Sequence, residues 1–232
     1  MKLPRNFPNP IVRIRGLILA THFGPTVLVV SISFCLSLSQ YSPSQSLEIA
    51  IAIFAGQCVV GWSNDLIDFP LDLAASRQKK PLVDGKISER MLRIAIPVAL
   101  ASAILLSFLG PLGAKGTALH ALGIFSATAY NVKLKKTILS PLPYVISFGA
   151  LPWAIFLSAG KLPPAWLYLA FIFFALAFHF LNVVKDLAWD RSQGILGLPQ
   201  RLGKRGSLAT AITFSLCGAL CALSALNPLH QA

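Results

Sequence analysis

Seven apolar stretches, at about residues 17–39, 46–63, 92–110, 116–131, 139–160, 165–184 and 207–227, divide this chain. Most approach the ~20 residues a helix needs to cross a hydrocarbon core. Prolines 25, 97, 143 and 152 fall inside them, where neighbouring helices satisfy the carbonyls a proline frees. Charged residues make up only 12% of the chain, against about 25% in soluble domains. The expectation is an all-α, multi-pass transmembrane bundle of about seven helices, forming one domain over 1–232.

The charges fall in alternate connections. Lys2, Arg5, Arg13 and Arg15 precede the first stretch; Arg77, Lys79, Lys80, Lys86, Arg90 and Arg93 follow the second. Lys133, Lys135 and Lys136 follow the fourth, and Lys185, Arg191, Arg201, Lys204 and Arg205 the sixth. The remaining connections hold only Lys115 and Lys161, so eighteen of twenty basic residues lie on one side. By the positive-inside rule that side, with the amino terminus, is cytoplasmic, in a cell (inner) membrane. Orientation accounts for the net charge of +12. No basic-aromatic module points to nucleic acid. The first stretch is too long for a signal-peptide core and lacks a small-residue cleavage site, so it is read as retained. Cys35, Cys58, Cys217 and Cys221 all fall in apolar stretches and are read as packing residues.

Against this basic excess stand eight acidic residues, and three of them share the segment NDLIDFPLD at 64–72. A second cluster, NVVKDLAWD at 182–190, matches it at an offset of 118: Asn64, Asp68 and Asp72 fall on Asn182, Asp186 and Asp190. The same offset places Pro81 on Pro199, Gly85 on Gly203 and Lys86 on Lys204, six identities in 23 positions. Stretches one to three also land on five to seven. This predicts a parallel internal repeat with its site where the copies meet. A copy of the fourth stretch would fall near 235–253, past Ala232.

At about 100° per residue, Asn64, Asp68, Asp72 and Asp65 fall near 0°, 40°, 80° and 100° of one helix face, with Pro70 expected to bend the helix end. Asn182, Asp186 and Asp190 form a similar stripe. Carboxylates converging at a membrane interface repel one another and take up protons unless a cation joins them. Mg²⁺ fits, being held by a few carboxylates together with a substrate's phosphates. Arg77, Lys79, Lys80, Lys135, Arg191 and Arg201 lie on the same side, available to phosphate oxygens. Acidic residues at membrane helices are costly and mark functional sites.

These residues carry a resemblance. Asn64-Asp65-x-x-Asp68-x-x-x-Asp72 with Arg77, Lys80-Pro81 and Gly85 resembles the first motif of UbiA-type intramembrane prenyltransferases. Asp186-x-x-x-Asp190 with Gly194, Leu198-Pro199 and Arg201-Leu202-Gly203 is similar to the second, and Tyr130…Leu134-Lys135 to the segment between them. The resemblance implies a bundle of typically nine helices around a central cavity. Two Mg²⁺ ions bridge the motifs to an isoprenoid diphosphate, and the allylic cation formed on ionisation attacks a lipophilic acceptor, commonly an aromatic ring. Residue by residue it implies that Asn64, Asp68, Asp72, Asn182, Asp186 and Asp190 hold metal. Asp65 joins them as ligand or network member, and Asp68, Asp72, Asp186 and Asp190 are the catalytic set. Arg77, Lys80, Tyr130, Lys135 and Arg191 would contact the diphosphate, and Trp62, Tyr130, Trp153, Phe178 and Trp189 are candidates for lining the cation's path.

Two departures stand out. Lys80 occupies a position where the family more often has Arg, keeping charge without the bidentate fork. The eighth and ninth helices are also missing, so an oligomer is expected if a second subunit has to close the cavity. Other readings remain: a cyclase of the same superfamily, a transferase acting on polyprenyl phosphates, and a divalent-cation transporter. The apolar stretches argue against a soluble prenyl-diphosphate synthase. His22 and His179 are read as packed, hydrogen-bonded residues, with cavity-facing bases as the alternative.

Overall fold

The computed structural model describes residues 9–226, and these are helical with connecting turns. Lys2, Arg5 and the last residue of the seventh stretch lie outside them. The helices are α1 Pro10–Ala20, α2 Phe23–Ser37, α3 Pro43–Ala74, α4 Glu89–Leu109, α5 Gly113–Val132, α6 Leu142–Ser158, α7 Ala165–Val184, α8 Leu187–Ser192 and α9 Leu198–Ser224. A single 3₁₀ turn, Leu134–Lys136, follows α5. Each predicted stretch corresponds to a helix, but the first one is broken.

That break shapes the site. α1 and α2 meet at 67°, and His22 between them takes a left-handed φ of 58°, a conformation costing a residue with a Cβ about 1–2 kcal/mol. Hydroxyls serve the carbonyls here: Thr21 Oγ1 donates to Ile18 O and Thr26 Oγ1 to Thr21 O, both at 2.7 Å. The corner sits hard against α3. A Cβ on Gly61 would lie 2.6 Å from the Thr21 carbonyl, a close approach that only a residue without a side chain permits. One residue on, Trp62 Nε1 donates to Leu17 O at 3.0 Å.

α3 begins in a capping box formed by Ser42 and Gln45, with Pro43 in its first turn, so the donors at its start are satisfied. It then runs 32 residues, unbroken through Pro70, and holds Asn64, Asp68 and Asp72 in register. The bend expected at Pro70 does not interrupt the helix. In the second copy the chain instead leaves α7 at Lys185 and resumes as α8 at Leu187.

The 118-residue offset otherwise holds for the order and bounds of the helices. It places α2 on α6, α3 on α7 with α8, and α4 on the later part of α9. Gly85 and Gly203 share positive φ values of 68° and 71°, the latter as a kink inside α9.

Among the described residues α3, α4, α7 and α9 are each long and apolar enough to cross a membrane, and the bent α1–α2 pair passes the same test when taken together, as a broken span or a re-entrant loop. All seven expected stretches are helical, and the two that fall short of this test are α5 and α6. α6 is apolar but only 17 residues long, and α5 carries Lys115, His120 and Asn131 in its 20 residues.

α3 packs on α1, α2, α4 and α5; α5 packs on α6, α6 on α7 and α7 on α9, while α2 reaches back to α6. Ile49, Ile53, Leu112, Leu151, Ile155 and Phe156 make the core beneath the site, and Ala20, Leu82, Ile87 and Leu92 pin the α3–α4 connection to the corner. Ile94, Val98 and Leu105 of α4, like Ile212, Leu216 and Leu220 of α9, face outward. An outward apolar face suits helices whose surroundings are lipid.

Candidate active site

Between α2, α3, α5, α6 and α7 lies a cavity of about 750 Å³. Its wall changes character along its length. At one end are Asn64, Asp68 and Asp72 of α3, Arg77 and Lys80 of the α3–α4 connection, Lys135 of the 3₁₀ turn, Asn182 of α7, and Asp186 and Asp190 at and within α8. At the other are Val29, Ile53, Leu119, Leu151 and Ala154. From Asp68 to Ile53 is fifteen residues of α3, roughly 22 Å of helix. The cavity joins a strongly charged end to an apolar one.

The two acidic clusters, separate in the sequence, meet across this charged end. Arg77 reaches Asp72 Oδ1 with Nη1 at 3.4 Å and Asp186 Oδ1 with Nη2 at 3.3 Å, and its guanidinium lies 5.4 Å from the Trp189 ring centroid. Lys135 donates to Asp68 Oδ1. Asn64 Nδ2 donates to Asp68 Oδ2 at 3.1 Å and to Asn131 Oδ1 at 3.2 Å. Asn131 is anchored in turn on Val60 O, 2.9 Å, and Ser63 Oγ, 3.2 Å.

Asp190 differs from the others. Its contact is Gln200, whose Nε2 donates to Oδ2 at 2.7 Å. Burial raises the Asp190 pKa above the ordinary carboxylate value, and neighbouring Asp186 raises it further, against the pull of Gln200, Arg77 and Lys135.

Tyr130, Phe178 and Trp189 also line the cavity. Tyr130 meets Tyr144 edge-on at 5.4 Å. Trp62 and Trp153 do not line it; Trp62 serves the α1 corner, and Trp153 packs on Tyr168. His179 is fully buried behind the wall, 3.2 Å from Ser140 Oγ through Nε2.

Asp65, Arg191 and Arg201, all expected at the site, stand off the cavity. Asp65 is buried on the side of α3 that faces the corner, where it meets His22 and Lys80. Arg191 turns its Nε to Gln200 O at 3.0 Å, and Arg201 its Nε to Leu196 O at 2.9 Å. Among the described residues no group of three or more His, Cys, Asp or Glu side chains is gathered as a ready-made metal site. The carboxylates are instead spaced by cations.

The match to known sequences decides the family. The UbiA prenyltransferase family profile matches residues 23–231. The chain belongs to the UbiA prenyltransferase family. Its fold is that of solved UbiA homologues. One from Archaeoglobus fulgidus, bound to GPP and Mg²⁺, superposes with a TM-score of 0.73 at 16% identity, over 89% of this chain and 76% of that one. The apo homologue from Aeropyrum pernix K1 gives 0.72 at 18%, over 97% and 82%. In sequence, the bacteriochlorophyll synthase 33 kDa chain of Cereibacter sphaeroides is 29% identical over 196 residues, 77% of this chain. The chain spans 63% of the length of that relative. The family and the apolar helices together make this an integral membrane protein.

Within this UbiA fold, Gln200 and Asn131 are cavity residues that sequence reasoning missed, while His22, read there as packed or cavity-facing, lines the cavity and also bonds Asp65. Gln200 had a signal, since it follows Leu198-Pro199 of the second motif. Asn131, beside Tyr130, had one too. The partner of His22 is 43 positions away, and nothing local announces it.

Proposed function

We propose that this chain transfers an isoprenyl group from an isoprenoid diphosphate to a lipophilic acceptor within the membrane, in a divalent-cation-dependent reaction. The observation that carries the reading is the cavity itself, with carboxylates and amines at one end and an apolar wall beyond. That polarity matches an amphipathic donor whose charged head and hydrocarbon tail need opposite surroundings. Relatives of the same fold bound to GPP or DMAPP with Mg²⁺ support it.

The donor set suits a hard cation. Asn64, Asp68, Asp72, Asn182, Asp186 and Asp190 offer oxygen and no sulfur to this end of the cavity, the ligand type of Mg²⁺. These residues would hold it, with two ions as the family resemblance implies. When bound, the metal supplies positive charge that stabilises the departing diphosphate.

The chain's own residues do the rest. Lys80, Lys135 and Arg77 neutralise carboxylates now and are placed to bind diphosphate oxygens as negative charge grows on them. Breaking the C–O bond leaves the electron pair on the diphosphate and an allylic cation below it. Tyr130, Phe178 and Trp189 offer ring faces to that cation, and the apolar wall keeps water from capturing it. An acceptor nucleophile then forms the new bond and releases a proton. The reading includes one domain over 1–232, with the charged end and the amino terminus facing the cytoplasm at the cell membrane.

The test is an assay of purified protein with isoprenoid diphosphates of graded length and a panel of lipophilic acceptors. Asp68→Asn and Asp190→Asn are expected to abolish Mg²⁺-dependent turnover. Wild-type rates in both variants would overturn the site. Cyclised product without acceptor would favour a cyclase, and metal flux in liposomes without diphosphate consumption a transporter.

A further inference from the structure

Asp65 sits within the first acidic motif, yet it points elsewhere. Its side chain is 2% exposed, and it meets two basic groups from outside α3: Lys80 Nζ at 2.7 Å and His22 Nε2 at 3.1 Å, both on Oδ1. Lys80 Nζ also lies 3.5 Å from Asp72 Oδ2. His22 and Lys80 line the cavity, and Asp65 does not.

The surroundings explain the direction. Gly61, Trp62 and Asp65 fall on the side of α3 against which the α1–α2 corner packs, Gly61 touching Thr21 and Trp62 holding Leu17. Asp65 lies one turn beyond Gly61, level with His22. Asn64, Asp68 and Asp72 point into the cavity, and position 65 is turned about 100° from Asn64. Its carboxylate therefore meets the corner, together with the loop that carries Lys80.

The geometry assigns Asp65 as a positioning residue that aims the Lys80 ammonium at the diphosphate, with His22 bracing the same carboxylate oxygen. This rests on the reading of the cavity as a diphosphate site and changes how that site is built. Lysine lacks the rigid fork of arginine and turns freely on a four-carbon stem. A buried carboxylate that holds its amine supplies the direction that the side chain itself lacks, and the second bond to His22 fixes that carboxylate. The charge of Asp65 thus acts through Lys80, whereas Asp68 and Asp72 face the ligand directly.

The test separates metal from anion, using Mn²⁺ and inorganic diphosphate as probes in calorimetry on detergent-purified full-length protein. Asp65→Asn is expected to bind Mn²⁺ as the wild type does, while Asp68→Asn loses it. In the presence of Mn²⁺, Asp65→Asn is expected to bind inorganic diphosphate about tenfold more weakly, the scale of one charge-assisted hydrogen bond. Lys80→Met is expected to give a similar loss, and the double variant no more than either alone.

A drop in Mn²⁺ affinity for Asp65→Asn equal to that of Asp68→Asn would overturn the assignment and make Asp65 a ligand. Unchanged diphosphate affinity, or losses that multiply in the double variant, would overturn it too. If Asp65→Asn does not fold, His22→Ala and Lys80→Met carry the same comparison, both expected to weaken diphosphate and spare Mn²⁺. A wild type that turns over no isoprenoid diphosphate but binds both probes would sink the proposed function alone. A wild type that binds neither probe would overturn both.

Discussion

Arg77 Nη2 lies 3.3 Å from Asp186 Oδ1, joining the connection after the first acidic cluster to the second cluster, 109 residues away. Both side chains are about one-third exposed, and such pairs contribute only about 0–1 kcal/mol to folding. Arg77→Gln is therefore expected to leave thermal stability in detergent nearly unchanged. The donor KM should rise several-fold, since the guanidinium is a ready anion partner. A large fall in stability with unchanged KM would show the contact to be structural.

Asp190 sets a pH dependence. Its pKa is raised, by burial first, so the folded chain holds this proton more tightly than the unfolded one. The stability this gives is complete below the ordinary carboxylate pKa and is lost as pH rises through the raised value. Metal binding runs the other way, because a cation needs the ionised form. Mn²⁺ affinity should begin to weaken on acidification at a higher pH than an unperturbed carboxylate would dictate. Gln200→Leu removes a hydrogen bond that lowers this pKa, so the midpoint should move further up. A downward move, or none, would remove Asp190 from the titration.

Gly61→Ala tests the corner. The added methyl would meet the Thr21 backbone at 2.6 Å, and backbone yields less readily than a side-chain tip. The expected cost is about 1–3 kcal/mol, read as a lower unfolding temperature. Diphosphate binding should weaken as well, because His22 moves with the corner.

Val29 lies at the apolar end of the cavity with Ile53, Leu119 and Ala154. Val29→Phe shortens the space below the charged end. The ratio of kcat/KM for long over short isoprenoid donors should fall by about tenfold or more, as for methylene-scale exclusion in an apolar pocket. An unchanged ratio would mean the tail leaves by another route.

The sequence declares its apolar stretches because lipid demands continuous hydrocarbon, and its acidic pairs because charge at a membrane is rare. The helical wheel also put Asn64, Asp68 and Asp72 on one face, as the continuous α3 has them. It placed Asp65 beside them, but angle alone does not say what lies across the helix. The α1–α2 corner brings His22 there, and that corner rests on a left-handed residue inside an apolar run. Arg191 misleads for a similar reason: it follows a motif aspartate, but the nearby carbonyl of Gln200 takes its donors. Local pattern gives spacing, whereas partners are set by packing.

Gly85 and Gly203 share a positive φ at matching places in the two copies, one in the turn after α3 and the other at the kink in α9. Only six of twenty-three side chains agree across that alignment, and one of the six pairs is these glycines with their positive φ. A positive φ costs most residues energy and glycine almost none. Each works like a corner post: it sets where the chain changes direction before its next long apolar helix, whatever side chains hang between. The residues around each post are then free to specialise, and they have done so, the α3–α4 connection supplying Lys80 and the first turn of α9 supplying Gln200 to a shared charged end. A symmetric scaffold has in this way been given an asymmetric interior.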